Sequence, residues 1–158
     1  MIPRYTRPEM GHVWSDANRF AKWLEVETAA AETLAETGQV PQEAAAAIRA
    51  RAKIDVARIH ELEARVKHDV IAFTMAVGES IGDAAAARWL HYGMTSNDVV
   101  DTAQALQVRE ASKLIERDLV MFGEILDLRA HEFRRTPQHR LWPVPATPLA
   151  RVSRRMQK

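Results

Sequence analysis

The chain has 158 residues, of which 47% are hydrophobic and 27% charged, with a formal net charge of +1. That length accommodates about one domain with a real core, and the composition is that of an ordinary soluble globular protein, which excludes disorder of the whole chain. The absence of cysteine excludes disulfides and thiolate metal sites. No run of about 18 apolar residues is available to span a membrane, and the opening MIPRYTRPEM lacks the apolar core of a secretion signal. These features fit a cytoplasmic protein.

Two prolines and an irregular pattern across residues 1–13 predict an extended N-terminal arm. Ser15 is a suitable N-cap, with Asp16 in the first turn. It opens a helix over DANRFAKWLEVETAAAETLAET, whose broad apolar face carries Phe20, Trp23, Leu24, Ala30, Ala31 and Leu34. Gly38 closes that helix as the residue beyond the C-cap. Pro41 belongs to the first turn of a second helix, PQEAAAAIRARA. A third is predicted over residues 55–66 (DVARIHELEARV) and a fourth over DVIAFTMAVGESI, ended by Gly82. At the junction between these two, Asp69 is the expected N-cap and His68 the last residue of the preceding helix.

The longest element runs from near Asn97 to Phe133, with Gly123 as its only Gly or Pro. Thr95 and Asp98 have the spacing of a capping box, with Asp in place of Glu. At about 1.5 Å per residue such a helix is on the order of 55 Å long. One apolar stripe is Val108, Ala111, Ile115, Leu119, Phe122 and Leu126; a second is Leu114, Met121, Ile125 and Leu128. Two stripes leave apolar surface over most of the circumference, so the helix is expected to be surrounded by others. The short helices upstream are too few to cover it, which predicts a helix-bundle oligomer. Alternating strand patterns and hairpin turns are missing, so the expected fold class is all-α.

From Pro137 the character changes. Residues 133–158 hold seven of the 22 Lys/Arg and none of the 21 acids, so residues 1–132 carry 15 cations against 21 acids, a net of −6. The tail PQHRLWPVPATPLARVSRRMQK contains four of the seven prolines and no helical period, and it is expected to be disordered or aberrant. Its arginines lack interleaved aromatics beyond Trp142 and sit beside an acidic body, so nucleic acid is not an expected partner.

Three places carry candidate chemistry. Thr95-Ser96-Asn97-Asp98 reads equally as a helix cap and as an anion site built from free N–H groups, hydroxyls and the positive helix end, with Gly93 allowing close approach. Lys67-His68-Asp69 reads as a helix junction or as a histidine available for proton transfer beside a cation. Arg4-Tyr5 reads as part of a loose terminus or as an arm that delivers a guanidinium to a phosphate. His12, His60 and His91 are expected to be structural or surface residues. No HExxH, Walker A or GxGxxG pattern occurs, so zinc-protease, P-loop and Rossmann sites are unsupported, and no spacing demands a metal.

The segments MIPRYTRPEM with the following Trp14, KHDVIAF, and HYGMTSNDVVDTA, in this order and spacing, resemble the N-terminal part of the adenylosuccinate lyase family within the fumarase/aspartase superfamily. The resemblance covers about residues 1–136, and the IPRY arm favours this family over argininosuccinate lyase, fumarase or aspartase. It implies a small N-terminal helical domain (1–93, including the arm), followed by the first long helix of a central bundle (94–136). It further implies a homotetramer whose active sites combine residues of three subunits. The implied reaction is β-elimination of fumarate from adenylosuccinate, leaving AMP, and from the succinylated carboxamide ribotide of purine synthesis. No cofactor is implied.

Carried over to this chain, the resemblance makes Arg4 and Tyr5 nucleotide contacts and Lys67, His68 and Asp69 a substrate-binding segment. His68 assists the acid side of catalysis or orients the substrate, and Thr95 and Ser96 hold the succinyl carboxylate. Lys67 stands where Arg is commoner, which keeps the charge and loses the bidentate fork; Asn97 stands where Ser or Thr is usual. Beyond HEFRRTP the family continues with a Gly-Arg-Thr-His-Gly motif that carries its main general-acid histidine. Here the chain reads QHRLWPVPATPLARVSRRMQK, and His139 inherits no role. The chain is therefore expected to be a truncated, inactive portion, its last 22 residues an out-of-frame or aberrant reading. The competing reading is a non-catalytic helical oligomerisation module or a dead fragment.

Overall fold

The computed structural model describes residues 2–135. Among them no strand occurs, and the order is a 3-10 turn at Pro3–Tyr5, then α1 (Pro8–Val13), α2 (Asp16–Glu36), α3 (Gln42–Arg51), α4 (Val56–Val66), α5 (Asp69–Ile81), α6 (Ala84–Ala87) and α7 (Ser96–Glu132). The expected all-α fold is what the chain adopts. Residues through Leu119 form one compact unit and those from Val120 a second. The first half of α7 thus belongs to the first unit, so compactness alone does not divide the chain at 93/94. The tail expected to be aberrant, from residue 137, lies outside the described residues.

Local chemistry sets most helix ends. Ser15 accepts a hydrogen bond from the Asn18 backbone N–H at 3.2 Å, and Asp55 does the same for Arg58 at 3.0 Å, satisfying donors that the first turn leaves free. Gly38 and Gly82 adopt positive φ beyond α2 and α5, where an L side chain would be strained. The junction of α4 and α5 differs by one residue from its expected form. Lys67 takes the left-handed C-cap conformation, and His68, not Asp69, is the N-cap, its Nδ1 accepting from the Ile71 N–H at 3.4 Å. Asp69 is the first helical residue and bonds the adjacent Val70 N–H at 2.7 Å instead. A further helix, α6, was not anticipated. Asp83 caps it by accepting from both Ala85 and Ala86 N–H groups.

The core is centred on three aromatic rings. Phe20 and Trp23 of α2 meet edge to face at 5.3 Å, Trp23 and Phe73 of α5 do so at 5.3 Å, and Phe20 stacks on Phe73 at 6.1 Å. His60 of α4 adds an edge contact to Phe20 at 6.0 Å. Ile48 of α3, Ile59 and Leu62 of α4, and Val70 and Val77 of α5 are fully buried around this centre. Val99 and Ala103 bring the start of α7 into the same core.

The N-terminal segment is not the extended arm expected from its prolines. Pro8 occupies the first turn of α1, where a missing N–H costs nothing. The segment is held to α7 by polar contacts across the chain. The buried Gln107 amide donates to the Val13 carbonyl at 2.7 Å, and Asn18 donates to the same carbonyl at 2.9 Å and to Glu110 at 3.0 Å. Arg7 pairs with Asp118, and Arg117 with Glu9 at 2.6 Å. These contacts satisfy the terminal carbonyl of α1.

In the second unit, Val120, Met121, Phe122, Ile125, Leu126 and Leu128 are all exposed. The apolar stripes foreseen there are therefore uncovered among the described residues.

Two outcomes follow for stability. Phe73→Ala empties the middle of the aromatic centre and is expected to lower unfolding free energy by about 3–5 kcal/mol in urea titration; a loss under about 1 kcal/mol would place the core elsewhere. The second concerns acid. Arg117 holds the Glu9 carboxyl below the ordinary range, Arg7 does so for Asp118, Lys22 for Glu110, Arg49 for Glu32 and Arg58 for Glu79. A carboxyl with a depressed folded pKa favours the fold above its unfolded value, and that contribution disappears as pH falls through the folded value. The urea midpoint should thus drop on acidification below about pH 4.5, and added salt should shrink the effect because these pairs are exposed. A midpoint that rises on acidification would contradict this assignment.

Candidate functional site

The segment between α6 and α7 turns sharply, with His91 at φ +63° and Gly93 at φ +75°. A non-glycine residue in the left-handed region is strained by roughly 1–2 kcal/mol, so something must hold His91. That partner is Glu27 of α2. One carboxylate oxygen accepts from the His91 backbone N–H at 2.8 Å, and the other lies 2.6 Å from His91 Nδ1. Glu27 is only 1% exposed. Burial pushes its carboxyl above the ordinary range, and the His91 contacts pull part of the way back. The pair satisfies both oxygens of a carboxylate that would otherwise be an uncompensated buried charge.

Beyond the turn, Asp98 accepts from the Thr95 N–H at 2.7 Å and from the Thr95 hydroxyl at 2.8 Å. Only the reverse half of a capping box is formed: the N3 carboxylate reaches back, while the Thr95 hydroxyl is spent on that carboxylate. These bonds from Thr95, with a smaller contribution from nearby His91, hold Asp98 below the ordinary range. Thr95 is exposed and Ser96 half-buried. The N–H groups of Ser96 and Asn97 lie in the first turn of a 37-residue helix, where the helix itself supplies no acceptor and its dipole favours an anion.

His68 and Lys67 are exposed and Asp69 half-buried at the α4–α5 junction. With His68 Nδ1 accepting a backbone hydrogen bond, the neutral ring carries its proton on Nε2, which is left free as a donor. In the 3-10 turn, the Arg4 guanidinium lies 4.7 Å over the Tyr5 ring. Tyr5 also lines a shallow groove with Thr6, Arg7, Met10 and Leu114. Among the described residues no hydrogen bond, ion pair or aromatic contact joins Arg4-Tyr5, Lys67-His68-Asp69 and Thr95-Ser96 to one another, and no cluster of metal ligands occurs. Nor is any helix long and apolar enough to cross a membrane.

Of the three histidines expected to be structural or surface residues, His60 packs on Phe20, and His91 has the distinct partnership with Glu27. The sequence signal for that partnership is the position of Glu27. It falls one turn after Trp23 and one turn before Ala31 on the buried stripe of α2, where an unpaired Glu is very rare.

Residues 4–152 match the lyase family. The chain is 46% identical over 136 residues to adenylosuccinate lyase of Bacillus subtilis and 44% identical over 136 residues to that of Staphylococcus saprophyticus, covering 86% of this chain and 31% of each relative. The chain thus spans about a third of the length of these relatives. Among solved structures, it resembles β-carboxy-cis,cis-muconate cycloisomerase from Acinetobacter calcoaceticus, with a TM-score of 0.77 at 28% identity over 86% of this chain and 33% of that one. It also resembles 3-carboxy-cis,cis-muconate lactonizing enzyme from Pseudomonas putida, with a TM-score of 0.73 at 36% identity over 80% and 30%.

Gly93 provides a test of the turn. A Cβ there meets nothing within 4 Å, so Gly93→Ala should cost only backbone strain, about 1 kcal/mol, seen as a lower urea midpoint with an unchanged slope. A neutral or stabilising change would show that the turn does not hold its positive φ.

Proposed function

On the premise that this chain belongs to the lyase family, we propose that it supplies the N-terminal part of a site that releases fumarate by β-elimination from adenylosuccinate, leaving AMP, and from the related succinylated carboxamide ribotide. In that reaction a base removes a carbon-bound proton next to a carboxylate. The C–H electrons form the C=C bond as the C–N bond breaks, and an acid delivers a proton to the departing nitrogen. The observation that carries the reading is the start of α7: a half-buried serine and unpaired first-turn N–H groups at the positive end of a long helix, which suits a carboxylate.

Within this reading Ser96, with Thr95, holds the succinyl carboxylate. His68, with Nδ1 fixed by the cap and Nε2 free, serves the proton on the leaving-group side, flanked by Lys67 and Asp69. Arg4 and Tyr5 contact the nucleotide. Because the three segments do not touch within this chain, the reading requires them to act together with surfaces from further chain or from further copies. The exposed apolar side chains of α7 from Val120 to Leu128 support such assembly, since an uncovered patch of that kind marks an interaction surface. A homo-oligomer is the proposed form.

The test is complementation. This chain is mixed with the part of the Bacillus subtilis adenylosuccinate lyase that lies beyond the matched region, and fumarate release from adenylosuccinate is followed. Recovered activity is expected, lowered at least tenfold by His68→Ala or Ser96→Ala, the scale of a lost charge-assisted hydrogen bond or proton donor. Assembly without activity, or activity indifferent to both substitutions, sinks the reading and leaves a non-catalytic helical oligomerisation module.

A further inference from the structure

The buried carboxylate of α2 is not among the groups to which the proposed reaction assigns a role. Glu27 sits 64 residues from His91 in sequence and grips it at two points, backbone N–H and Nδ1. Its side chain is completely inaccessible, whereas the His91 ring is 24% exposed. The grip therefore runs from the core outward. It engages one ring nitrogen and leaves Nε2 as the only one free to meet a ligand.

What lies beside that ring matters. His91 is close enough to Asp98 to act on its carboxylate electrostatically, and Asp98 is bonded to both donors of Thr95. From the core, the chain of contacts is Glu27 to His91, His91 to the neighbourhood of Asp98, and Asp98 to the residue that opens α7. A buried carboxylate is a costly device where an apolar side chain would fill the space. Its two acceptor oxygens offer something an amide cannot. Gln could accept from one of the His91 donors, but its NH₂ would then face the other, donor against donor.

We propose that Glu27 is a positioning residue, which fixes the ring and the left-handed backbone of His91 so that Nε2 stands ready for an anionic, carboxylate-bearing ligand at the start of α7. The ligand class rests on the reading given under Proposed function; the grip of Glu27 on His91 does not. Glu27 touches no ligand and acts through His91.

Two measurements separate these layers. The first uses the full ¹⁵N-labelled chain and reads the His91 ring nitrogens by long-range ¹H–¹⁵N spectroscopy in the wild type and in Glu27→Gln. The wild type should hold one protonation pattern with Nδ1 hydrogen-bonded, and Glu27→Gln should redistribute the ring proton while the helical circular dichroism stays unchanged. Ring signals that do not change in Glu27→Gln overturn the proposal, whether or not the lyase reading stands.

The second measurement uses the complemented enzyme. Glu27→Gln should raise KM for adenylosuccinate about tenfold, as expected for one weakened hydrogen bond to a charged group, with kcat much less affected. In a His91→Ala background the same substitution should raise KM no further, because its effect passes through the ring. An equal rise in both backgrounds overturns the positioning role and leaves Glu27 as a packing residue. If the unsubstituted mixture shows no fumarate release, the lyase reading fails on its own, and the ring spectra still decide the role of Glu27.

Discussion

The fold depends on one stripe of α2. Phe20 and Trp23 close the aromatic centre with Phe73, and one turn later the same face buries Glu27. Apolar and ionic constraints are thus registered on a single rigid rod. Where the rings set the depth of α5 against α2, the carboxylate sets where the chain must return 64 residues later. A helix is well suited to this, because successive positions on one face are held about 5–6 Å apart whatever the side chains do. Rotating α2 to relieve one contact would break the other, which makes the arrangement cooperative rather than a sum of independent pairs.

Helix ends governed by one or two neighbouring residues could be read directly. Ser15, Asp55, Gly38 and Gly82 each act within a single turn, and the bounds of α2, α4 and α5 fall within a residue or two of their expected places. The start of α7 was also apparent, since Thr95 and Asp98 lie three residues apart. Errors arose where the deciding partner was unusual or remote. His68 caps α5 although imidazole is an uncommon cap, so the neighbouring Asp69 looked the better choice. The segment of α1 is too short to hold a helix alone. It is held by Gln107, Arg117 and Asp118, about a hundred residues away. The proposed site followed the same rule. Its local motifs could be named, but the union of Glu27 with His91 could not be read from either residue's neighbours.

Capping and ligand binding at the α7 start draw on one set of donors, and the structure divides them. Asp98 takes the N–H and hydroxyl of Thr95, which pins the entry to the helix. Ser96 and the next free N–H groups are left for an incoming anion. An internal carboxylate thus secures the frame and leaves the adjacent donors unspent. The division also explains why a capping motif and a binding motif could not be told apart on residue types alone.

The docking of α1 also bears on synthesis. The ribosome releases Arg7, Glu9 and Val13 first, but their partners Gln107, Arg117 and Asp118 emerge about a hundred residues later. At typical elongation rates the interval is about 5–20 s, long compared with the microseconds in which a helix–coil equilibrium relaxes. Throughout that interval Val13, buried at 5% exposure in the finished unit, has no α7 to lie against. The first segment to be made is therefore among the last to be secured. A nascent-chain binder or protease that recognises the opening PRYTRPEM stretch would have its window during translation and lose it once α7 closes over α1.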